Sequence, residues 1–133
     1  MAETVLAGGC ACGAVRYTSA TVPDFALHCQ CRKCQRITGT GHASLFRLAV
    51  ADVRIVGPIR YYDQPADSGA TTSNGFCPAC GSPIVGKTDR FPAVLYFHAA
   101  TLDDPTLFRP EAVVFSSAAQ AWDHIDPDIP PAG

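Results

Sequence analysis

Seven cysteines in a chain of 133 residues fall into three clusters, Cys10-x-Cys12, Cys29-x-Cys31-x-x-Cys34 and Cys77-x-x-Cys80. Four thiolates close a tetrahedral zinc site, and three leave it one ligand short. Structural zinc is usually enclosed by four protein ligands, whereas catalytic zinc keeps a position for water or substrate. The sulfur tally therefore predicts two zinc ions with different roles and a fold obliged to bring the first and third clusters together.

The pair in Phe76-Cys77-Pro78-Ala79-Cys80-Gly81-Ser82 has the spacing of a zinc knuckle, and Gly81 suits the sharp turn, at positive φ, after the second ligand. Gly9-Cys10-Ala11-Cys12-Gly13 supplies a complementary half-site. Cys10, Cys12, Cys77 and Cys80 together make a closed structural site that ties distant segments of the chain. The middle cluster, Cys29, Cys31 and Cys34, lies within six residues and lacks a local fourth ligand. His28 adjoins Cys29 and in a strand points to the opposite face. His42, His98 and His124 stay open as alternatives from the sequence.

An open site with three thiolates is a weak Lewis acid for hard oxygen but suits a soft sulfur ligand, because coordination deprotonates a thiol outright. The expected partner is a small thiol. Arg32, Lys33 and Arg36 surround the cluster and Thr38 and Gly39 follow it. They are candidates to bind the carboxylates of a thiol-bearing substrate, against the plainer reading of a solvated basic face.

With 47% hydrophobic and 17% charged residues, the composition is globular. The chain is expected to form one domain, 1–133, with a motif core at 8–122 and a proline-rich tail at 123–133 that is extended from 126 on. No apolar run is long enough to span a membrane. The amino terminus has an acidic residue where a signal peptide would be basic, so a soluble, cytoplasmic protein is expected, with cysteines used for metal rather than disulfides. Twelve acidic residues outnumber ten basic ones, which argues against nucleic acid as a partner.

Eleven glycines and eleven prolines leave little room for long helices, and the chain reads as mainly β. Candidate strands are 15–18, 25–28, 42–47, 53–56, 60–62, 93–99 and 112–115. Segment 64–74, rich in small and polar residues, reads as a mobile loop, either a lid or simply a solvated connection. Asp103-Asp104-Pro105 reads as a turn. Phe91, Tyr96, Phe97 and Trp122 are expected in the core, and His98 as a buried core histidine.

GGCACGAVRY, HCQCRKC followed by ITG, FCPACGS, TLDDP, Phe115 and Trp122 resemble the glutathione-dependent formaldehyde-activating enzyme family, also called the centromere protein V type. The resemblance covers about 8–122. It implies a small β-rich fold of the Mss4-like type with two zinc ions, and a carbon–sulfur lyase that joins glutathione to formaldehyde as an S-hydroxymethyl adduct. Cys10, Cys12, Cys77 and Cys80 would hold the structural ion, and Cys29, Cys31 and Cys34 the catalytic one. The chain departs from the family pattern at Val113-Val114-Phe115, often His-Ile-Phe, and at Gln35, often Arg. The alternative reading is a non-catalytic zinc module that binds a protein partner.

Overall fold

A computed structural model describes residues 3–132; residues 1, 2 and 133, the outermost parts of the expected domain and tail, lie outside the described residues. The fold is mainly β. Its strands are β1 (Leu6–Gly9), β2 (Arg16–Ser19), β3 (Phe25–Cys29), β4 (Ala43–Ala49), β5 (Val53–Val56), β6 (Arg60–Pro65), β7 (Thr71–Phe76), β8 (Pro83–Thr88), β9 (Val94–His98) and β10 (Ala112–Val114). One α-helix, α1 (Arg32–Thr38), lies between β3 and β4. Among the described residues no helix is long and apolar enough to cross a membrane.

Two sheets form. The larger has seven strands in the order β10-β3-β4-β9-β8-β7-β6, and the smaller has the order β1-β2-β5. All neighbours are antiparallel except β10 and β3, which run parallel with Val114 opposite Cys29. Leu6, Val15 and Tyr17 at the small sheet pack with Phe46, Leu48, Ile84, Val85 and Phe97 of the large one in a single cluster that also takes in Cys10 and Cys77. Strand alternation then sorts the rest. Phe46 and Phe97, register partners, face that core, while Leu27 and its partner Leu45 face the opposite side of the large sheet, beside α1.

Six of the expected strands recur as β2, β3, β4, β5, β9 and β10, β5 with the expected ends and the others with shifted ones, and 60–62 extends to Pro65. Three strands escaped the reading. β1 is Leu-Ala-Gly-Gly, and its glycines serve close approach: a Cβ on Gly8 would sit 2.4 Å from both the Thr101 carbonyl and the Tyr17 hydroxyl. Strands β7 and β8, TTSNGF and PIVGKT, carry too many polar and glycine positions to show a period.

The expected loop 64–74 is a hairpin instead. Pro65 pairs with Thr71 at the mouth of the turn, the Ala66 carbonyl accepts from the Gly69 N–H at 3.0 Å, and Gly69 takes φ 87°. Small polar residues here serve a tight turn between the edge strand β6 and its neighbour β7 rather than a lid. Trp122 is 63% and Phe91 51% exposed, correcting their expected place in the core, whereas Phe97 is fully buried. Both lie in surface connections outside the strands, where no packed layer covers an aromatic ring.

Asp103-Asp104-Pro105 is a turn, with the Asp104 carboxylate accepting from the Thr106 N–H at 3.1 Å. The tail is not extended from 126 on: Asp126 starts a turn, its carboxylate accepting from the Asp128 N–H at 2.9 Å and its carbonyl from the Ile129 N–H at 3.1 Å. Beyond that turn the chain docks, with Val113 donating to the Pro130 carbonyl and receiving the Ala132 N–H at 2.8 Å, so the last described residues lie along β10.

Candidate metal centre

The first and third cysteine clusters meet across the core. The chain turns at Cys10, where the Gly13 N–H returns to the Cys10 carbonyl at 3.2 Å and Gly13 takes φ 81°. The knuckle turn is its counterpart, with Gly81 at φ 78° donating to the Cys77 carbonyl at 2.8 Å. Ser82 ties the turns together, accepting from the Ala11 N–H at 3.0 Å and lying 3.2 Å from Cys80 Sγ. The sulfurs of Cys10, Cys12, Cys77 and Cys80 all lie within 4.8 Å of one another.

Zinc fits this donor set. A tetrahedral ion with bonds of about 2.3 Å to sulfur spaces its ligands about 3.8 Å apart, and the Cys10–Cys12 and Cys12–Cys77 sulfurs are separated by 3.6 and 3.8 Å. The Val15 N–H points at Cys10 Sγ from 3.3 Å, and this hydrogen bond lowers the Cys10 thiol pKa. Hydrogen bonding by Ser82 brings Cys80 down to about 5. Both favour the thiolates that a cation requires.

The middle cluster is built differently. Cys29 ends β3 on the same face as Leu27, Cys31 is the N-cap of α1, and Cys34 lies in the first helical turn with its N–H donated to Cys31 Sγ at 3.3 Å. Gly39 closes the helix at φ 72°. The three sulfurs lie within 4.8 Å of one another, and among the described residues no further His, Cys, Asp or Glu ligand joins them. Hydrogen bonds from Cys29 and then Cys34 hold Cys31 as a thiolate, down to about 2. The hydrogen bond to Cys31 pushes Cys29 up to about 11, and Cys29 followed by Cys31 pushes Cys34 up. Only one negative charge is comfortable here without a cation, and a divalent ion reverses that balance.

His28 points away from the sulfurs. Its Nδ1 lies 2.9 Å from Ser44 Oγ, and its ring stands edge-on to His42 at 4.7 Å. Burial, then the neighbouring His42, lowers its pKa. His42 Nδ1 is 2.9 Å from the Asp123 carboxylate, which also accepts from Gln30 Nε2 at 3.0 Å. Burial opposes ionisation of Asp123, but the hydrogen bonds from Gln30 and His42 outweigh it and hold the pKa low. A Cβ on Gly41 would meet the Asp123 side chain at 2.2 Å, so the pair closes over bare backbone.

Gln35 is a second brace that the sequence did not signal beyond its departure from the family pattern. Its Nε2 donates to the Gln30 and Ala118 carbonyls at 2.8 and 3.0 Å, and its Oε1 accepts from Gln120 and Arg32. Gln30 and Gln35 are buried polar groups with partners, which fixes the loop that presents the sulfurs.

A cleft of about 360 Å³ opens beside Cys29, Cys31 and Cys34. Of the residues expected to bind substrate, Lys33 lines it, with Nζ also bonded to the Pro65 carbonyl. Arg32 and Arg36 are exposed on α1, and Gly39 caps the helix. Thr38 donates to the Cys34 carbonyl at 2.8 Å and lines a separate polar cleft with His42 and Ser44. Lys87, Tyr96 and Phe115 also line the cysteine cleft. They come from strands and connections far from the cluster in sequence, and only the register places them.

His98 is buried as expected, and burial lowers its pKa to about 4. An unfolded chain protonates histidine near 6.5, so the unfolded state binds more protons between pH 6.5 and 4 and stability falls as the solution is acidified through that window. The interval corresponds to about 3 kcal/mol. We expect His98→Leu to remove this loss: the gap in unfolding free energy from urea titration between variant and wild type should shift in the variant's favour by that amount from pH 7 to pH 4. A pH-independent gap would refute it.

A sequence model described as glutathione-dependent formaldehyde-activating enzyme matches residues 5–118. Among solved structures, a Rhodobacter sphaeroides protein superposes with a TM-score of 0.59 at 24% identity, covering 73% of this chain and 87% of that one. That likeness is one of fold. No curated protein matches the chain.

Proposed function

The chain belongs to the glutathione-dependent formaldehyde-activating enzyme family, and from that premise we propose that it is a single-domain, cytoplasmic, zinc-dependent carbon–sulfur lyase that joins glutathione to formaldehyde. One observation carries the reading: four sulfurs gather at one place and three, with no fourth protein ligand among the described residues, at another. Cys10, Cys12, Cys77 and Cys80 would hold a structural ion, and Cys29, Cys31 and Cys34 a second one with a position left for substrate. When bound, that second ion supplies a place where a thiol is captured and deprotonated.

The protein's own residues do the rest. Gln35, Gln30 and Asp123 fix the sulfur-bearing loop, so the thiol is held in one orientation. Lys33 at the cleft places a cation for a glutathione carboxylate. Leu27, Ile37 and Leu45 thin the water around the reacting carbon. In the reaction the thiol sulfur bonds to the aldehyde carbon, the carbonyl π pair moves to oxygen, and the thiol proton ends on that oxygen. Holding two dilute reactants together in an attacking geometry is worth up to about 7–11 kcal/mol in the best intramolecular cases.

Exchange NMR of glutathione with isotope-labelled formaldehyde tests this directly. Zinc-loaded protein should speed interconversion in proportion to its concentration, above the spontaneous rate. No acceleration at any protein concentration would leave a non-catalytic zinc module instead.

A further inference from the structure

We propose that the aldehyde accepted at the cysteine cleft carries an apolar body of roughly aromatic-ring size, so that formaldehyde is the smallest member of the substrate class rather than the one the cleft is shaped for. The inference rests on the thiol–aldehyde reading above and names the second substrate more closely. The cleft measures about 360 Å³, room for about a dozen waters at about 30 Å³ each. Formaldehyde has two heavy atoms and by itself covers little of the cleft's apolar wall.

Leu27, Ile37, Leu45, Tyr96, Val114 and Phe115 make the apolar part of the lining, which also takes in the three cysteines and polar residues of β7 and β8 such as Thr72, Asn74 and Thr88. Apolar walls gain nothing from a hydrated one-carbon substrate but gain about 25 cal/mol for each Å² of apolar surface taken from water. Glutathione is charged at both ends, and Lys33 and Lys87 are the cations among the lining residues that would receive a carboxylate. The apolar surface is then left for the aldehyde.

Phe115 adds an independent sign. Its backbone sits at φ 56°, the one positive-φ residue other than glycine among the described residues, and its side chain is 57% exposed. A bulky residue in that region is strained, and no core packing accounts for it. That backbone puts an aromatic ring on the lining of the cleft that also includes the three cysteines. On the same lining, Gln64 keeps a buried Oε1 without a partner among the described residues. The terminal torsion of glutamine is broad, so this acceptor can swing toward the hydroxyl that every thiol–aldehyde adduct carries.

The chemistry is the same addition. Sulfur bonds to the carbonyl carbon, the π pair becomes the oxygen lone pair, and the thiol proton completes the hydroxyl, giving an S-(1-hydroxyalkyl) or S-(1-hydroxybenzyl) adduct without oxidant or reductant.

The stable thioethers S-benzylglutathione and S-methylglutathione separate the ring from the reaction. Titrated calorimetrically into zinc-loaded protein, the benzyl compound should bind about 10–50-fold more tightly, as expected for burying most of a phenyl ring. Phe115→Gly should cut that preference several-fold without lowering the melting temperature, because glycine is at ease at this φ. Equal affinities in the wild-type protein, or a preference that Phe115→Gly leaves untouched, would overturn the inference. Exchange NMR with benzaldehyde and formaldehyde separates the two levels. Acceleration with both supports the inference; acceleration with formaldehyde alone sinks it and spares the parent reading; acceleration with neither sinks both.

Discussion

Cys80→Ala will lose one of two zinc ions and, with it, the folded state. Cys80 is exposed, so its truncation removes no core packing, and any unfolding must come through the metal. The four sulfurs join the turn at Cys10 to the knuckle 67 residues on (77 − 10), and Cys10 and Cys77 are themselves part of the hydrophobic core. Structural zinc contributes on the order of 10 kcal/mol or more in small zinc-binding peptides, comparable to the whole net stability of about 5–15 kcal/mol for a typical domain. Three remaining sulfurs at this place would bind the ion weakly and leave the two turns unpaired. Metal analysis should give at most one ion per chain and circular dichroism no cooperative melt. A variant that melts within a few degrees of wild type would show that the four-sulfur site is not structural.

At the middle cluster the expected outcome is the reverse. Cys31→Ala should abolish one zinc ion and all acceleration of adduct formation while the protein stays folded. A small stability loss is expected for a separate reason: Cys31 Sγ caps α1 by accepting the Cys34 N–H, and loss of a cap costs about 1 kcal/mol. For a chain of this size that lowers the melting temperature by about 3–5 °C. Cys31→Ser should restore the cap, since serine is a strong N-cap residue, but not the soft ligand. The pair of variants therefore separates helix capping from metal binding. Ala and Ser variants that melt alike and keep both ions would remove Cys31 from the metal centre. Collapse of both, as for Cys80→Ala, would remove the division of roles between the clusters.

Much of this site was readable because metal-ligand spacing is local. Cys77-x-x-Cys80-Gly81 announced its own turn, and Gly81 has the positive φ that the spacing demanded. His28 faces away from the sulfurs because neighbours in a strand alternate. Strands with apolar content, such as β3, β4 and β9, were visible for the same local reason. β7 and β8 were not, because β7 is polar and β8 buries its apolar residues Ile84 and Val85 side by side, so neither shows a period of two, and the turn at Gly69 was mistaken for a mobile loop. Nor was α1, whose seven residues begin within the cysteine motif and are held by the Cys31 cap and the Gln35 bonds rather than by an amphipathic stripe.

The sequence by itself determined the inventory: seven soft ligands divided four and three, the glycines that let two of their turns close, and a mainly β chain. Those are properties of neighbours along the backbone. Only the tertiary structure decided what stands over the three-sulfur cluster. The strand register sets Leu27 against Leu45 and aligns Val114 with Cys29, and the bend after β10 lifts Phe115 to the cleft. Side chains from strands scattered along the chain share one face there, and pairing between distant segments, which no local spacing encodes, chooses that face.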